Sequence, residues 1–401
     1  MKTMNLQESL LENIYTRIGN DNMEGLNRYR TYVHISLDNI EHNGQIAKCV
    51  FPEKKIMSVL KADAYGHGIE GIVPAYETFT DYYAVATVEE GLKIRKQSKK
   101  PILIFGPVPE GLMENAAKNN LTFSVGSLSY AKKLSDILGR SAGINAQCQL
   151  KIDTGLNRSG IRWRDKDNAM MQIKEIYALK NLDFTGVYTH FACGEGKEEW
   201  ELAFTKMQFD RFAEACKAIE AEKLPLGIKH CTSTGGSLVH PEYQLDMVRL
   251  GMLPLGMSYS DESVSSLELR IAIKWVSFIA QIEEIYPGDA VSYGCTFYAE
   301  KPMKIAMVTC GYADGYRRAY SNKSHVLVNG KRVRVIGRVA MDYLLIDVTD
   351  VPDVIIGDEV ILLGTDGVNT VSAQELSMLG DSVSGEVTCS ITERVQRIYE
   401  R

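Results

Sequence analysis

The feature that most constrains the fold is an alternation of short apolar runs and longer amphipathic stretches between Tyr32 and Gly251. Runs such as YVHIS (32–36), IMSVL and TFSV have strand length, whereas ELAFTKMQFDRFAEACKAIEAEK has apolar positions at helical spacing. Continuous apolar strands that alternate with helices indicate a parallel sheet covered on both faces. Roughly eight such units favour a (β/α)8 barrel of the TIM type. A doubly wound open sheet is the alternative.

The pattern changes after about Leu267. Strand-like runs such as MKIAMVTCGY and DEVILLG are now separated by PGD, NG and GTDG turn signals, and helical periodicity nearly disappears. We therefore predict an N-terminal surface extension (1–30), a barrel (31–267) and a mainly antiparallel β domain (268–401).

Composition excludes several classes of protein. A net charge of -6 argues against a nucleic-acid or anionic-membrane partner, because either would require a basic face. No apolar run approaches the roughly 20 residues of a membrane span, and the polar N-terminus is unlike a signal peptide, so we expect a cytoplasmic protein. Its eight cysteines are far apart and form no CxxC pair, which predicts reduced thiols and no metal site.

Four polar side chains stand at or near the ends of predicted strands: Lys61, His190, His230 and Arg249. In a parallel barrel such residues share one rim, where active sites form. A lysine in a desolvated pocket can lose its proton and act as nucleophile or base. The glycine-bearing turns THFACGEG, STGG and RLGMLPLG can offer backbone N–H groups to a phosphate. Lysine and phosphate cradle together suggest pyridoxal phosphate held as a Schiff base.

The segment KADAYGHG (61–68) resembles the cofactor-lysine motif of the alanine racemase family, whose members are fold-type III pyridoxal-phosphate enzymes. The resemblance covers essentially everything after residue 31. It continues in order through KIDTGLNRSGIR (151–162), THFA (189–192), MVRLGMLPLG (247–256), VSYGCTF (291–297), GYADGYRR (311–318), NGKRVRVIGRVAMD (329–342) and EVTCSITERVQR (386–397).

The resemblance implies a homodimeric racemase with a two-base mechanism. Lys61 would carry the cofactor and act as base on one face of the substrate α-carbon. Tyr293 would be the opposing acid or base, delivered from the β domain of a second subunit. A proton acceptor on each side is what racemisation of a planar carbanion requires.

The remaining site residues also follow from the resemblance. Arg249 would face the pyridine nitrogen and, because an arginine stays protonated, would keep that nitrogen unprotonated. The other residues would hold Arg249 (His190), bind the cofactor phosphate (Tyr65, Thr234, Gly251, Met252), meet the substrate carboxylate (Arg158, Met341), support that arginine as a carbamylation candidate (Lys151) and buttress a loop (Asp153).

One departure bears on the substrate. The run CSITERVQR has Glu393 where the family usually has a tyrosine that touches both phosphate and substrate side chain. Glu393 either turns away to pair with an arginine or accepts a hydrogen bond from the substrate. Alanine is the expected substrate, with serine, lysine or ornithine as alternatives.

Two other function classes stay open. The first is another fold-type III activity, a decarboxylase or a D-amino-acid aldolase. The basic decarboxylases share the barrel and the β domain, but they usually pair the pyridine nitrogen with an acid rather than with an arginine. A non-catalytic cofactor-binding protein would lack the β domain and therefore Tyr293.

Overall fold

A computed structural model describes residues 30–140, 143–257 and 267–401. It contains two compact units. The first comprises Ser36–Ala272, and the second combines the described residues before Ser36 with Ile273–Glu400. The predicted extension lies outside the described residues except for Arg30. Within the described ranges, no helix is long and apolar enough to cross a membrane.

A parallel sheet of eight successive strands forms the centre of the first unit. At the seam between its first and last strands, Asp246 N–H donates to Lys229 O (3.1 Å) and Arg249 N–H donates to Thr232 O (3.3 Å). The sheet is thus a nearly closed barrel, which confirms the predicted fold class over the open-sheet alternative. Its strands, in sheet order, are Met247–Leu250, Lys55–Val59, Tyr82–Val85, Ile102–Ile104, Leu121–Val125, Ala146–Asp153, Leu182–Tyr188 and Ile228–His230; Ile161–Arg162 adds a short pairing to Ala146–Asp153.

Helices connect the barrel strands, and hydrogen-bonded caps mark where several of them begin. Ser36, Ser127 and Asp165 each accept a backbone N–H of the first helical turn. Thr87 and Glu90 form a reciprocal capping box. The helices are Leu37–Val50, Ile69–Tyr76, Val88–Arg95, Glu110–Lys118, Leu128–Gly139, Lys166–Tyr177, Glu199–Ala221 and Thr234–Val239, with short helical segments at Lys61–Tyr65, Pro241–Tyr243 and Leu253–Leu255.

The second unit is built on a nine-stranded sheet. Its hairpins are antiparallel, and Asn329-Gly330 makes one tight turn with both residues at positive φ (49° and 74°). In sheet order the strands are Asn369–Val371, Glu359–Asp366, His325–Val328, Lys331–Ile336, Leu344–Asp347, Met303–Val308, Ile273–Ile285, Thr31–Ser36 and Gln396–Glu400. The helices of this unit are Ala373–Leu379 and Ser384–Cys389, with short 3-10 turns at Tyr293–Cys295 and Arg318–Tyr320.

The run YVHIS is not the barrel strand that its position in the sequence suggests. The strand Thr31–Ser36 pairs antiparallel with Ile273–Ile285, with Val33 opposite Trp275. The Trp275 indole N–H also donates to the Thr31 hydroxyl at 2.8 Å. The barrel has its eight strands without this run, whose apolar side chains are buried in the antiparallel sheet instead.

Candidate active site

A cavity of about 850 Å³ opens at the carboxyl ends of the barrel strands. Nine of the predicted site residues line it: Lys61, Tyr65, Lys151, Arg158, His190, Thr234, Arg249, Gly251 and Met252. They come from separate parts of the chain, and the barrel brings them together because parallel strands end at one rim. Pocket-lining lysine and arginine side chains give this cavity a cationic wall suited to an anionic ligand.

Lys61 enters the cavity from an unusual turn. It follows the strand Lys55–Val59, and the next four residues (62–65) all have positive φ, between 50° and 58°. This left-handed turn places Lys61 and Tyr65, four residues apart, on the same side, where both line the cavity. His67 Nδ1 lies 3.1 Å from the carbonyl oxygens of Ala64 and Tyr65. The His67 side chain therefore stabilises the turn by contacting two of its backbone carbonyl groups.

Tyr65, Thr234 and Gly251 converge on one wall of the cavity. Gly251 N–H donates to Thr234 Oγ1 at 3.1 Å. A Cβ on Gly251 would lie 2.5 Å from the Tyr65 hydroxyl oxygen, so only glycine admits this approach. The two hydroxyls and the close backbone form the kind of cradle that holds a phosphate.

Arg249 is buried, and four protein atoms hold its guanidinium. Nη1 lies 2.9 Å from His230 Nδ1, and Nη2 lies 3.0 Å from His190 Nδ1. Nη2 also donates to the carbonyl oxygens of Thr189 (3.1 Å) and Cys231 (2.7 Å). Burial lowers the pKa of Arg249 to about 10, so the guanidinium remains charged at neutral pH.

Both histidines that contact Arg249 are neutral. Burial, aided by the charge of Arg249, lowers the pKa of His190 to about 2 and lowers that of His230 well below its ordinary value. Each ring must accept through Nδ1, because Arg249 can only donate. The proton then resides on Nε2, and His230 Nε2–H donates to Gln149 Oε1 at 2.8 Å. This arrangement fixes the orientation of the arginine.

The cavity is also lined by Tyr188, a residue to which the sequence assigns no role. Its ring stacks on His230 at 4.9 Å and 2°, and its hydroxyl lies 2.6 Å from Ser124 Oγ. Lys151 Nζ and Arg249 Cζ lie 5.5 and 5.9 Å from the ring centroid, so the ring also stabilises two cations. Tyr188 directly precedes THFA, near the end of a predicted strand, and this position was the indication in the sequence that it could belong to the site.

Lys151 and Arg158 form the cationic side of the cavity. Lys151 Nζ donates to Ser159 Oγ at 2.6 Å. Burial, with the charges of Arg158 and Arg249, lowers the pKa of Lys151 to about 8. Asp153 Oδ1 accepts the N–H groups of Gly155 and Asn157 (3.0 and 3.1 Å), the loop-supporting position expected of it.

Three other predicted site residues, Tyr293, Met341 and Glu393, belong to the second unit. The side chains of Tyr293 and Met341 are 71% and 53% exposed, and Glu393 is also exposed. Arg394, next to Glu393, pairs with Asp342 at 2.7 Å rather than with Glu393. No group of three histidine, cysteine or acidic side chains is arranged for a metal in the parts of the chain that the structure describes.

Each of the two units corresponds to a known protein family domain. Residues 35–258 match the alanine racemase N-terminal domain, and residues 272–399 match the alanine racemase C-terminal domain.

Individual relatives match nearly the whole chain. Alanine racemase 2 of Caldanaerobacter subterraneus subsp. tengcongensis is 38% identical over 92% of this chain and 94% of its own length. The alanine racemase of Halothermothrix orenii is 34% identical over 92% of this chain and 97% of its own length.

Solved structures agree with the sequence relatives. The alanine racemase of Clostridium difficile 630 superposes with a TM-score of 0.84 at 33% identity, covering 92% of this chain and 96% of its own. That of D-cycloserine-producing Streptomyces lavendulae has a TM-score of 0.87 at 30% identity, covering 93% and 97%. A chain that matches both domain families in order, and relatives over nearly their full length, belongs to the alanine racemase family.

Proposed function

We propose that this chain is an amino-acid racemase that interconverts L- and D-alanine with pyridoxal phosphate as cofactor. The observation that carries the proposal is the convergence of Lys61, the Tyr65–Thr234–Gly251 wall and Arg249 on one cavity. Relatives named alanine racemase support the substrate. Two neighbouring structures add to this support, one described as a complex with cycloserine and the other as containing bound L-Ala-P.

The residues of the cavity fit the cofactor. Lys61 supplies an amine for its aldehyde, and the close approach of Tyr65 to Gly251 leaves a hydroxyl and bare backbone for its phosphate. Met252 continues the same wall. When bound, pyridoxal phosphate withdraws electrons from the bonds at the substrate α-carbon, which makes the α-proton removable.

Two groups of the protein would then move the proton. The Lys61 amine accepts or returns it on one face of the α-carbon. We assign the opposite face to Tyr293 of the partner subunit, in a homodimer that shares its active sites. The exposure of Tyr293 on its own chain supports this assignment, because an exposed side chain is free to serve another subunit.

Arg249 favours racemisation over decarboxylation. Its guanidinium is fixed and charged in the cavity. A cation opposite the pyridine nitrogen opposes protonation of that nitrogen and limits how far the ring can stabilise negative charge. Fold-type III decarboxylases usually pair that nitrogen with an acid, which strengthens electron withdrawal by the ring, so an arginine at this position supports the racemase.

Arg158 would bind the substrate carboxylate, with Lys151 beside it as the carbamylation candidate and Met341 at the substrate entrance. Glu393, which replaces the tyrosine usual in the family, would contact the substrate side chain. Serine, lysine and ornithine are the alternative substrates because a carboxylate can accept a hydrogen bond from a hydroxyl or an ammonium group. The cytoplasmic location expected from the sequence stays a prediction.

The deciding experiment incubates the enzyme and cofactor with a panel of L-amino acids and separates the enantiomers by chiral chromatography. We expect D-alanine to form fastest, and Lys61→Ala to lose both this activity and the visible absorbance of bound cofactor. Release of carbon dioxide with no conversion of L- to D-amino acid would show that the protein is a decarboxylase instead. A yellow, borohydride-reducible Lys61→Ala protein would overturn the role of Lys61.

A further inference from the structure

An acidic side chain lies among the donors of the cavity wall. Glu195, in the turn THFACGEG, is partly buried and lines the cavity. Burial raises the pKa of this carboxyl, and the nearby Gly235 backbone N–H and Ser233 hydroxyl oppose that rise by stabilising the charged form. A Cβ built on Gly235 would lie 2.3 Å from Glu195 Cδ and 2.6 Å from Oε1, so the carboxylate sits directly against this backbone.

The backbone that Glu195 lies against is continuous with the wall assigned to the phosphate. Ser233 and Gly235 flank Thr234, whose hydroxyl accepts from Gly251 N–H. Thus the carboxylate of Glu195 contacts the stretch 233–235, whose middle residue belongs to the Tyr65–Thr234–Gly251 wall. A carboxylate and a phosphate oxygen need the same hydroxyl and N–H donors, and two such anions at contact distance repel each other.

Resting on the proposed function, we propose that Glu195 is an internal competitor for the cofactor phosphate. Its carboxylate lies directly against Gly235, next to Ser233 and Thr234 on the cavity wall, and a phosphate can reach this part of the wall only after the carboxylate has moved away. Gly194 and Gly196 flank Glu195, which gives this turn the backbone freedom to swing the side chain away. Glu195 therefore lowers the affinity of the cavity for phosphate-bearing ligands.

Two variants test the competitor by different routes. Glu195→Gln removes the charge and keeps the shape of the side chain. Gly235→Ala keeps the charge but displaces the carboxylate, since the three atoms nearest to a Cβ at this position all belong to Glu195. Glu199→Gln is the matched control, because it makes the same change of charge at an exposed position four residues away.

The measurements are the dissociation constant of pyridoxal phosphate from the cofactor-stripped protein and the rise in melting temperature caused by inorganic phosphate. We expect Glu195→Gln and Gly235→Ala each to bind the cofactor roughly three- to tenfold more tightly than wild type, the size of one ordinary polar contact. Both should also show a larger phosphate-induced rise. Glu199→Gln should stay within about twofold of wild type.

Unchanged or weaker binding in the two variants, each with a wild-type melting temperature when no phosphate is present, would overturn the competitor. An equal gain in Glu199→Gln would overturn it as well, because the effect would then be one of net charge. Failure of the proposed function is distinct. It would appear as a wild-type protein that binds no pyridoxal phosphate, and the inorganic phosphate measurement would still decide the role of Glu195.

Discussion

Arg249 directs its guanidinium N–H groups to two ring nitrogens and two carbonyl oxygens of the barrel. Each histidine that accepts from it is held neutral by burial. The other ring nitrogen of His230 donates a hydrogen bond to Gln149, which fixes the orientation of the histidine ring. An arginine held this way cannot swing aside when a ligand enters, so its charge acts at a fixed point in the cavity.

Tyr293→Phe tests the second proton carrier. Loss of the phenolic hydroxyl should lower racemisation by about 10²- to 10⁴-fold, the usual contribution of one general acid or base. Exchange of the α-proton with solvent deuterium should persist from the enantiomer whose proton faces Lys61 and disappear from the other. The folded protein should be unaffected because this side chain is largely exposed. Equal loss of exchange from both enantiomers would contradict a two-base assignment.

Lys151 should leave a signature in the pH dependence of stability. Its pKa is about 8 when folded against an ordinary value of 10.5. Below pH 8 both states hold the proton; above it the folded state loses the proton first, so the unfolded state binds more protons and the free energy of unfolding rises. Denaturant titrations should show this rise between about pH 8 and 10.5 in wild type but not in Lys151→Met. Lys217→Met, at an exposed helical position, should retain it.

Glu393→Tyr tests what sets the substrate preference. A tyrosine reduces the space for a substrate side chain and removes the carboxylate that a polar substrate could use. The ratio of kcat/KM for alanine to that for serine, lysine or ornithine should therefore rise, by about 10-fold or more, the value of one lost polar contact. An unchanged ratio would show that Glu393 does not contact the substrate.

Which site residues the sequence can reveal depends on their position in the barrel. Lys61 and Arg249 are charged residues at the ends of apolar runs, where a charge is unexpected, so both stand out in the sequence. In the structure Arg249 is buried and Lys61 is exposed at the cavity. Tyr188 ends its strand and Gln149 lies within one, but an aromatic ring or a single amide also fits an ordinary core, so neither stands out as a charged residue does. Glu195 reads as one more acid in a polar turn until its contact with Gly235 is known.

Among the elements, the left-handed turn after Lys61 has a high conformational cost. Positive φ costs a residue with a Cβ roughly 1–2 kcal/mol, and four such residues follow one another here. Gly66 and Gly68 complete the turn at φ of 81° and 85°, where glycine avoids that cost. Aligning Lys61 with Tyr65 is the evident use of this backbone, because both line the cavity.

Ala62→Gly measures that cost. Ala62 is exposed and has a φ of 53°. Glycine relieves the strain but gains entropy in the unfolded chain, so we expect a net stabilisation of about 0.5–1 kcal/mol in equilibrium unfolding. Ala218→Gly is the control, in the right-handed helix Glu199–Ala221, and should destabilise by about 1 kcal/mol. Destabilisation of the same size at both positions would show that the turn stores no strain.

The barrel strands were predictable because nearly all of them combine a short apolar run with a following helix, a pattern typical of a parallel sheet. The strand Thr31–Ser36 was not, although the helix Leu37–Val50 follows it directly. An apolar run specifies that a strand is buried but not which neighbour it pairs with. Its partner, Ile273–Ile285, lies too far along the chain for any local pattern to indicate the pairing.

For the whole molecule, the shared active site predicts that two inactive variants can restore each other. In a heterodimer of Lys61→Ala and Tyr293→Phe chains, one site receives both substitutions and the other receives neither. Random assembly from equal amounts gives half heterodimers, so about a quarter of wild-type activity should return. Co-expression with two different affinity tags isolates the heterodimer for assay. Activity that stays at the level of the parent variants would show that each site is built from a single chain.

The pairing of Thr31–Ser36 with Ile273–Ile285 also orders events during synthesis. At about 5–20 residues per second, a ribosome needs roughly 12 to 50 s to make the 240 or so residues between the two strands. The barrel sequence emerges within that interval, while the first strand has no antiparallel partner to bind. One of the earliest strands of the nascent chain is thus among the last to be paired, and until then its edge is exposed to chaperones and to other nascent chains.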